Sequence, residues 1–332
     1  MRRLIACALC VLCAAAFAPH AQAYLKLGTR ANGRLVTLQW RTFPIRYFVT
    51  NRGVAGVSAP QLEATVERAF ATWDGVQGAS LSSQFAGFTS ASPLDDDSVS
   101  VIGFVNRPDL DRVLGSTSFT FDVVSGEVVE SDIFFNSSFP WSVSASGETN
   151  RFDLESIALH EIGHLHGLGH SALGETELRA GGRRVLSAEA VMFPIAFSAG
   201  TTIGRTLRAD DIAGILDLYA TADERRQTGS ISGRITKNGS GVAGAHVIAF
   251  NPASGKLVAG FTQANDGSFV IAGLEPGVHV LRVEPLDDGD VESFFDASVN
   301  VDVNFKPAFS TRLIVVPRGG TARNADITVV AK

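Results

Sequence analysis

Residues 160–170 read His160-Glu161-Ile162-Gly163-His164-Leu165-His166-Gly167-Leu168-Gly169-His170, the pattern H-E-x-x-H-x-x-G-x-x-H. His160 and His164 lie four apart. On a helix of about 3.6 residues per turn, their imidazoles stand one turn apart on the same face. Glu161 sits beside the first histidine, within reach of a water on a metal held there. Gly167 tolerates the positive φ that ends a helix. The chain then turns back and can bring His170 to the metal as a third ligand. Three protein ligands leave a fourth position open for water, the arrangement of a catalytic rather than a structural zinc. Ordinary composition seldom supplies all these positions together, since glycine alone is about 7% of average sequence.

Once a leader carrying Met1 is set aside, Met192 is the only methionine left. It stands in Ala190-Val191-Met192-Phe193-Pro194, 22 residues after His170. The long histidine motif followed by this methionine turn resembles the metzincin metallopeptidases. Ser171 directly after the third histidine, the Val-Met-Phe-Pro turn and the run Leu207-Arg208-Ala209-Asp210-Asp211-Ile212-Ala213-Gly214-Ile215-Leu216-Asp217-Leu218-Tyr219 are similar to the matrixin branch. The resemblance implies zinc on His160, His164 and His170, with Glu161 as general base. It also implies Met192 as an apolar floor beneath the metal. Read without it, Met192 is a core filler, and the two readings overlap because the floor is itself packing. The implied fold is α+β: a metzincin-like peptidase domain, with a twisted mixed sheet and long helices, followed by an all-β sandwich domain.

Residues 1–23 read as a secretory leader. Arg2 and Arg3 form its charged start, Leu4 to Phe17 its apolar stretch, and Ala21-Gln22-Ala23 an A-x-A cleavage site. The apolar stretch is too short to span a bilayer, and no other segment qualifies, so stable membrane insertion is not expected. The protein is expected to be secreted, to periplasm or medium, after cleavage near Ala23. Cys7, Cys10 and Cys13 all lie in the leader, so the mature chain has no cysteine for a disulfide and none for latency through a prodomain thiol. The leader runs almost directly into Leu35 to Val49, leaving little room for a propeptide. The formal charge is −6, or −8 once Arg2 and Arg3 are removed. With no basic cluster, nucleic acid is not an expected partner.

Residues 24–220 read as one α/β-textured peptidase domain. Phe43 to Val49 has strand composition. Pro60 to Asp74 has helical spacing at Leu62, Val66, Ala69, Phe70 and Trp73, with Ser58 as N-cap. Val99 to Val105, Leu114 to Phe121 and Val128 to Phe135 read as strands, the last two joined by a turn at Ser125-Gly126. The resemblance makes Leu114 to Phe119 the sheet edge beside the cleft, where an extended peptide adds as a strand. It makes Pro194 to Thr206 the wall of the pocket beyond the scissile bond. The active-site helix starts near Asp153 and runs to about His166. Ala172 to Ala190, polar and Gly-rich, reads as a surface loop or a lid. Asp210 and Asp211 suit a helix N-terminus.

Residues 221–228 read as a charged linker. Residues 229–332 carry short β-rich runs between Gly, Asn, Asp and Pro, which suggests a sandwich. Gly233-Arg234-Ile235, Val242 to Val247, Asp266-Gly267-Ser268-Phe269 and Gly273-Leu274-Glu275-Pro276-Gly277 resemble carboxypeptidase regulatory-like domains, which have a transthyretin-like sandwich.

The expected activity is that of a secreted zinc-dependent metalloendopeptidase acting on protein or peptide, with zinc-activated water and Glu161 as base. The alternative is a noncatalytic extracellular binding or adhesion protein that keeps the peptidase fold. Between residues 24 and 220 the only four histidines lie in the motif, so the additional structural zinc of animal matrixins is not apparent. Phe193-Pro194 after Met192 excludes the tyrosine ligand of some metzincin branches. His166 should point away from the ligand face as a polar or second-layer residue. His246 and His279 read as ordinary strand residues. Asp95-Asp96-Asp97 could help to bind calcium, but reads more simply as a solvated loop. The oligomeric state is not encoded in any motif.

Overall fold

The computed structural model describes residues 26–332 apart from 32, 33, 181, 264 and 296–298. The leader, its cysteines and its cleavage site lie outside the described residues.

A hairpin of β1 (Gly28–Ala31) and β2 (Arg34–Thr37) precedes the main sheet. That sheet contains β3 (Ile45–Thr50), β4 (Ser83–Thr89), β5 (Val101–Val105), β6 (Gly115–Phe121) and β7 (Val128–Asn136). Its order is β4-β3-β5-β7-β6. The pairings are parallel except between β6 and β7, so β6 is an antiparallel edge strand. The sheet is therefore mixed, as the α+β expectation requires.

Helix α1 (Ala59–Asp74) joins β3 to β4. At its start, Gln61 Oε1 accepts the Ser58 N–H at 2.9 Å, closing one of the N–H groups a helix start leaves unpaired. Leu62, Val66, Ala69, Phe70 and Trp73 recur at helical spacing and are all buried. They meet Ile45, Tyr47 and Val49, which alternate along β3, in the core beneath the sheet.

The loop leading into β6 is held by the buried Asn136. Its amide donates to the carbonyls of Arg107 at 2.8 Å and Leu110 at 3.0 Å, and its Oδ1 accepts the Arg107 N–H. One side chain thus satisfies several loop groups and sets where the edge strand begins.

The short strands β8 (Trp141–Ser142) and β9 (Phe152–Asp153) pair just before helix α2 (Leu154–Leu165). Within the stretch read above as a surface loop or a lid, β10 (Gly174–Arg179) pairs antiparallel with β11 (Gly182–Ala188). Polar and charged side chains conceal a strand from a hydrophobicity reading when both faces are largely solvated. Helices α3 (Ala209–Tyr219) and α4 (Ala222–Gln227) follow. Helix α4 occupies the stretch expected to be a linker. Thr221 caps it by accepting the Glu224 N–H, and Asp223 and Glu224 in its first turn suit the helix dipole.

Beyond residue 228 the chain forms two five-stranded sheets. The first contains β12 (Gly229–Lys237), β13 (Ser240–Gly241) and, further along the chain, β16 (Ser268–Leu274). The second contains β14 (His246–Phe250), β15 (Leu257–Phe261) and β17 (Gly277–Glu284), with β18 (Ala308–Phe309) and β19 (Ile314–Val316) on β17. Strands β20 (Thr321–Ala322) and β21 (Ile327–Val329) return to pair with β12 in the first sheet. Ile231, Ile235, Phe269 and Ile271 from one sheet share a buried cluster with Val247, Ala249, Leu281 and Val283 from the other.

Candidate active site

Helix α2 is anchored at both ends. At its start, Asp153 accepts the Ser156 N–H at 3.0 Å and pairs with Arg205 at 2.5 Å. At its end, carbonyls that lack an intrahelical partner are met by side chains from distant segments. The Trp40 indole donates to Leu165 O at 2.8 Å, and the Tyr219 hydroxyl to His166 O at 2.7 Å. The Gly167 N–H reaches His164 O, and the Leu168 N–H reaches Gly163 O. Gly167 has φ +95°, and a Cβ there would lie 2.4 Å from Leu38 O. Both conformation and space therefore demand glycine at this turn.

The turn returns His170 to His160 and His164. Ring centroids are 4.8 Å apart for His160–His164, 4.7 Å for His164–His170 and 5.4 Å for His160–His170. Each Nδ1 meets a backbone carbonyl: His160 with Val191 at 2.8 Å, His164 with Leu168 at 2.7 Å and His170 with Ser293 at 2.5 Å. A carbonyl only accepts, so each Nδ1 carries the proton and each Nε2 presents a lone pair. Burial lowers the basicity of all three rings, that of His160 to about 3, and keeps them neutral.

The Nε2 atoms of His164 and His170 are 3.1 Å apart. With both Nδ1 atoms protonated, two acceptors face each other there, an arrangement a shared cation resolves. Ligands of a tetrahedral zinc at about 2.0–2.1 Å stand about 3.3 Å apart, close to this spacing. The donor set fits zinc. Among the described residues this trio is the only group of three or more His, Cys, Asp or Glu side chains placed to hold a metal. The acidic run does not converge in that way. Asp95 accepts the Ser92 N–H, Asp96 the Thr120 hydroxyl and Asp97 the Val99 N–H.

Glu161 is buried beside this trio, and burial pushes its carboxyl up to about 7. The Thr117 hydroxyl opposes the shift by donating to Oε2 at 2.7 Å. Thr117 belongs to β6, as does Gly115, where a Cβ would lie 2.9 Å from Glu161 Oε1. The carboxylate thus fits against the edge strand because position 115 has no side chain. Met192 packs beneath α2: a Cβ on Gly163 would lie 2.3 Å from its Sδ. Asp211, at the start of α3, accepts the N–H groups of Val191 and Met192 and so holds this turn.

The cleft over these groups has a volume of about 650 Å³. Strand β6 lines it, and Pro194 to Ser198 line it after the methionine turn. Arg183 of the β10–β11 hairpin, with Asp290 and Ser293 from the C-terminal region, also line it.

His166 is not a polar neighbour of the site. Its ring is fully buried with edge contacts to Phe70, Trp73 and Tyr219, and neither ring nitrogen has a hydrogen-bond partner among the described residues. Desolvation holds its pKa down at about 3, so it packs as a neutral aromatic. Asp210 and Asp211 are likewise more than helix-dipole partners. Both are buried, and Asp210 accepts the Ala259 N–H of β15 at 2.8 Å. Thr117 escaped the sequence reading, although strand parity places it on the same face as Gly115 and Phe119. Ser293 acts through a backbone carbonyl, for which no motif exists, and the run that ends at Tyr219 does not say which carbonyl its hydroxyl reaches.

The matrixin peptidase family model matches residues 39–220, more than half of the chain. The chain belongs to the matrixin family, a family of zinc metallopeptidases. It is 31% identical over 127 residues to metalloendoproteinase 4-MMP of Arabidopsis thaliana, covering 36% of this chain and 31% of the relative. It is 27% identical over 195 residues to metalloendoproteinase 2-MMP of the same plant, covering 52% of this chain and 44% of the relative. It is 43% identical over 77 residues to metalloendoproteinase 1 of Glycine max, covering 23% of this chain and 20% of the relative. The chain thus spans less than half the length of these relatives.

Proposed function

We propose that this matrixin is a secreted zinc metalloendopeptidase, with His160, His164 and His170 holding the metal through Nε2 and Glu161 serving as general base. The observation that carries the reading is geometric: three imidazoles converge, each with its Nδ1 at a backbone carbonyl, an arrangement that leaves Nε2 to ligate. A zinc ion held by these three histidines would supply Lewis acidity toward a water and a scissile carbonyl. Glu161 Oε1 takes the water's proton as its oxygen adds to the peptide carbonyl, then passes it to the leaving amine. Thr117 holds Oε2 and so orients the carboxylate. Met192 fills the space beneath the helix and keeps the ligands in register.

An extended peptide would add to the free edge of β6, with main-chain hydrogen bonds giving affinity of low sequence preference. Pro194 to Thr206 would shape the pocket beyond the scissile bond, a role supported by the cleft-lining Pro194, Ile195 and Phe197. In this reading residues 24–220 are the peptidase domain. Residues 229–332 are a carboxypeptidase regulatory-like sandwich, supported by the buried cluster shared between two sheets. Export rests on the leader pattern of residues 1–23. No helix among the described residues is long and apolar enough to cross a membrane.

The test is zinc content and casein proteolysis of the chain beside Glu161→Ala. The reading expects one zinc per chain in both proteins and proteolysis only in the parent. Zinc with no cleavage of a broad peptide library would favour the noncatalytic binding protein. A folded chain without zinc would overturn both the ligand set and the activity.

A further inference from the structure

His160 and His164 ride on a helix, and their Nδ1 partners, Val191 and Leu168, lie in the peptidase part of the chain. His170 differs. It stands on the turn after the helix, and its Nδ1 partner is the carbonyl of Ser293, 123 residues away among the C-terminal sheets. Ser293 ends a single 3₁₀ turn, Val291–Ser293, in which its own N–H bonds to Asp290 O.

This segment is fastened on three sides. Phe294 lies edge-on to the His170 ring at 6.2 Å and packs on Phe261 of β15 at 5.7 Å. Phe295 packs on the same ring at 5.4 Å, in a buried cluster that includes Ala172 beside the motif. Asp288 binds the β10–β11 hairpin: its carboxylate accepts the Thr176 N–H at 2.8 Å and its carbonyl accepts the Thr176 hydroxyl at 2.9 Å. Arg183 of the same hairpin donates to Asp287 O at 3.0 Å.

We propose that residues 287–294 of the C-terminal region are a built-in part of the metal centre, with the Ser293 carbonyl positioning His170 as the third ligand. A ring nitrogen that ligates a metal needs its other nitrogen hydrogen-bonded, because that bond fixes both tautomer and ring orientation. On α2 the helix constrains the ring as well. On the turn at His170 the C-terminal carbonyl and the edge-on Phe294 ring hold the imidazole. The C-terminal region therefore does more than accompany the peptidase part. Metal retention should depend on it even when no substrate is present.

The inference rests on the three histidines being zinc ligands, and the experiment separates the two. Full-length Ser293→Pro and Ser293→Ala are compared with the parent. Proline removes the N–H that closes the 3₁₀ turn and forces the preceding residue out of helical geometry, which displaces the carbonyl. Alanine leaves the carbonyl in place. Zinc loss to a chelator and the visible spectrum of the cobalt-substituted protein are the readouts, with circular dichroism as the fold control.

Zinc loss about tenfold faster or more, with a changed cobalt spectrum, is expected for Ser293→Pro, and parent behaviour for Ser293→Ala. If Ser293→Pro does not fold, Phe294→Ala decides, since it removes the ring that seats the segment on His170 and on Phe261. A folded deciding variant with parental zinc retention and cobalt spectrum would overturn the inference alone. A parent chain that binds no zinc would overturn it together with the ligand assignment.

Discussion

The carboxylate of Asp211 accepts the backbone N–H of Met192 at 3.1 Å. It also accepts those of Val191 at 2.9 Å and Arg208 at 2.8 Å. One buried side chain at the start of α3 therefore holds the turn that packs under the histidines. The Met192 carbonyl in turn accepts the Ser171 N–H at 2.9 Å, beside the third histidine. Helix α3, the methionine turn and Ser171, next to His170, form one hydrogen-bonded chain.

Replacing Asp211 should therefore cost more than losing a helix-dipole partner. Asp211→Ala strands buried N–H groups and is expected to lower stability by about 2–4 kcal/mol. Urea denaturation of the zinc-free protein measures this. A loss no larger than that of an exposed helix-start carboxylate, below about 1 kcal/mol, would show that the turn holds itself.

Glycine within a helix is normally a weakness, and replacing it by alanine gains about 1 kcal/mol of propensity. Gly163 should behave oppositely. Its Cβ would lie 2.3 Å from Met192 Sδ and 2.9 Å from Trp73 Cζ2. Gly163→Ala is expected to destabilise by about 1–3 kcal/mol through overpacking. Met192→Leu, close in volume, should cost less than about 1.5 kcal/mol. Thermal unfolding of both variants checks the sign.

Thr117→Val keeps shape while removing the hydroxyl that donates to Glu161 Oε2. That hydrogen bond favours the charged carboxylate, so its loss raises the Glu161 pKa. The acid limb of the activity profile should move to higher pH. The maximal rate should fall about tenfold, with zinc content unchanged. A pH–rate profile of variant against parent tests both effects.

Asp210 gives a pH dependence of stability. Burial raises its carboxyl from 3.8 to about 7, against hydrogen bonds from Ser171 and Ala259 that favour the charged form. The folded state holds this proton more tightly than the unfolded state. The contribution is complete below the unfolded pKa and is lost as pH rises through the folded one. Relative to Asp210→Asn, the zinc-free parent should lose on the order of 1 kcal/mol or more between about pH 4 and 7. Urea midpoints of the two proteins across that range are the measurement. A constant difference between them would show that the carboxyl is charged throughout.

Much of the fold and site is legible in the order of residues because it is local. Leu62, Val66, Ala69, Phe70 and Trp73 announce α1 by spacing alone, and Asp153 and Gly167 mark the ends of the motif helix. The β10–β11 hairpin was hidden because Glu175, Glu177, Arg183 and Arg184 give it no apolar face to read. His166 misled for a related reason. Its side chain is polar by type, but the fold surrounds it with Phe70, Trp73 and Tyr219.

The sequence by itself determined which atoms can meet a metal, since four-residue spacing on a helix and a glycine turn place His160, His164 and His170 through covalent geometry and one local bend. Only the tertiary structure decided how those histidines are held. Thr117 on Glu161, Tyr219 on the end of α2, Asp211 on the methionine turn and Ser293 on His170 all join segments far apart in the chain. Their partners include backbone carbonyls and N–H groups, which every residue carries alike. Such contacts leave no mark on residue order and exist only once packing has brought the segments together.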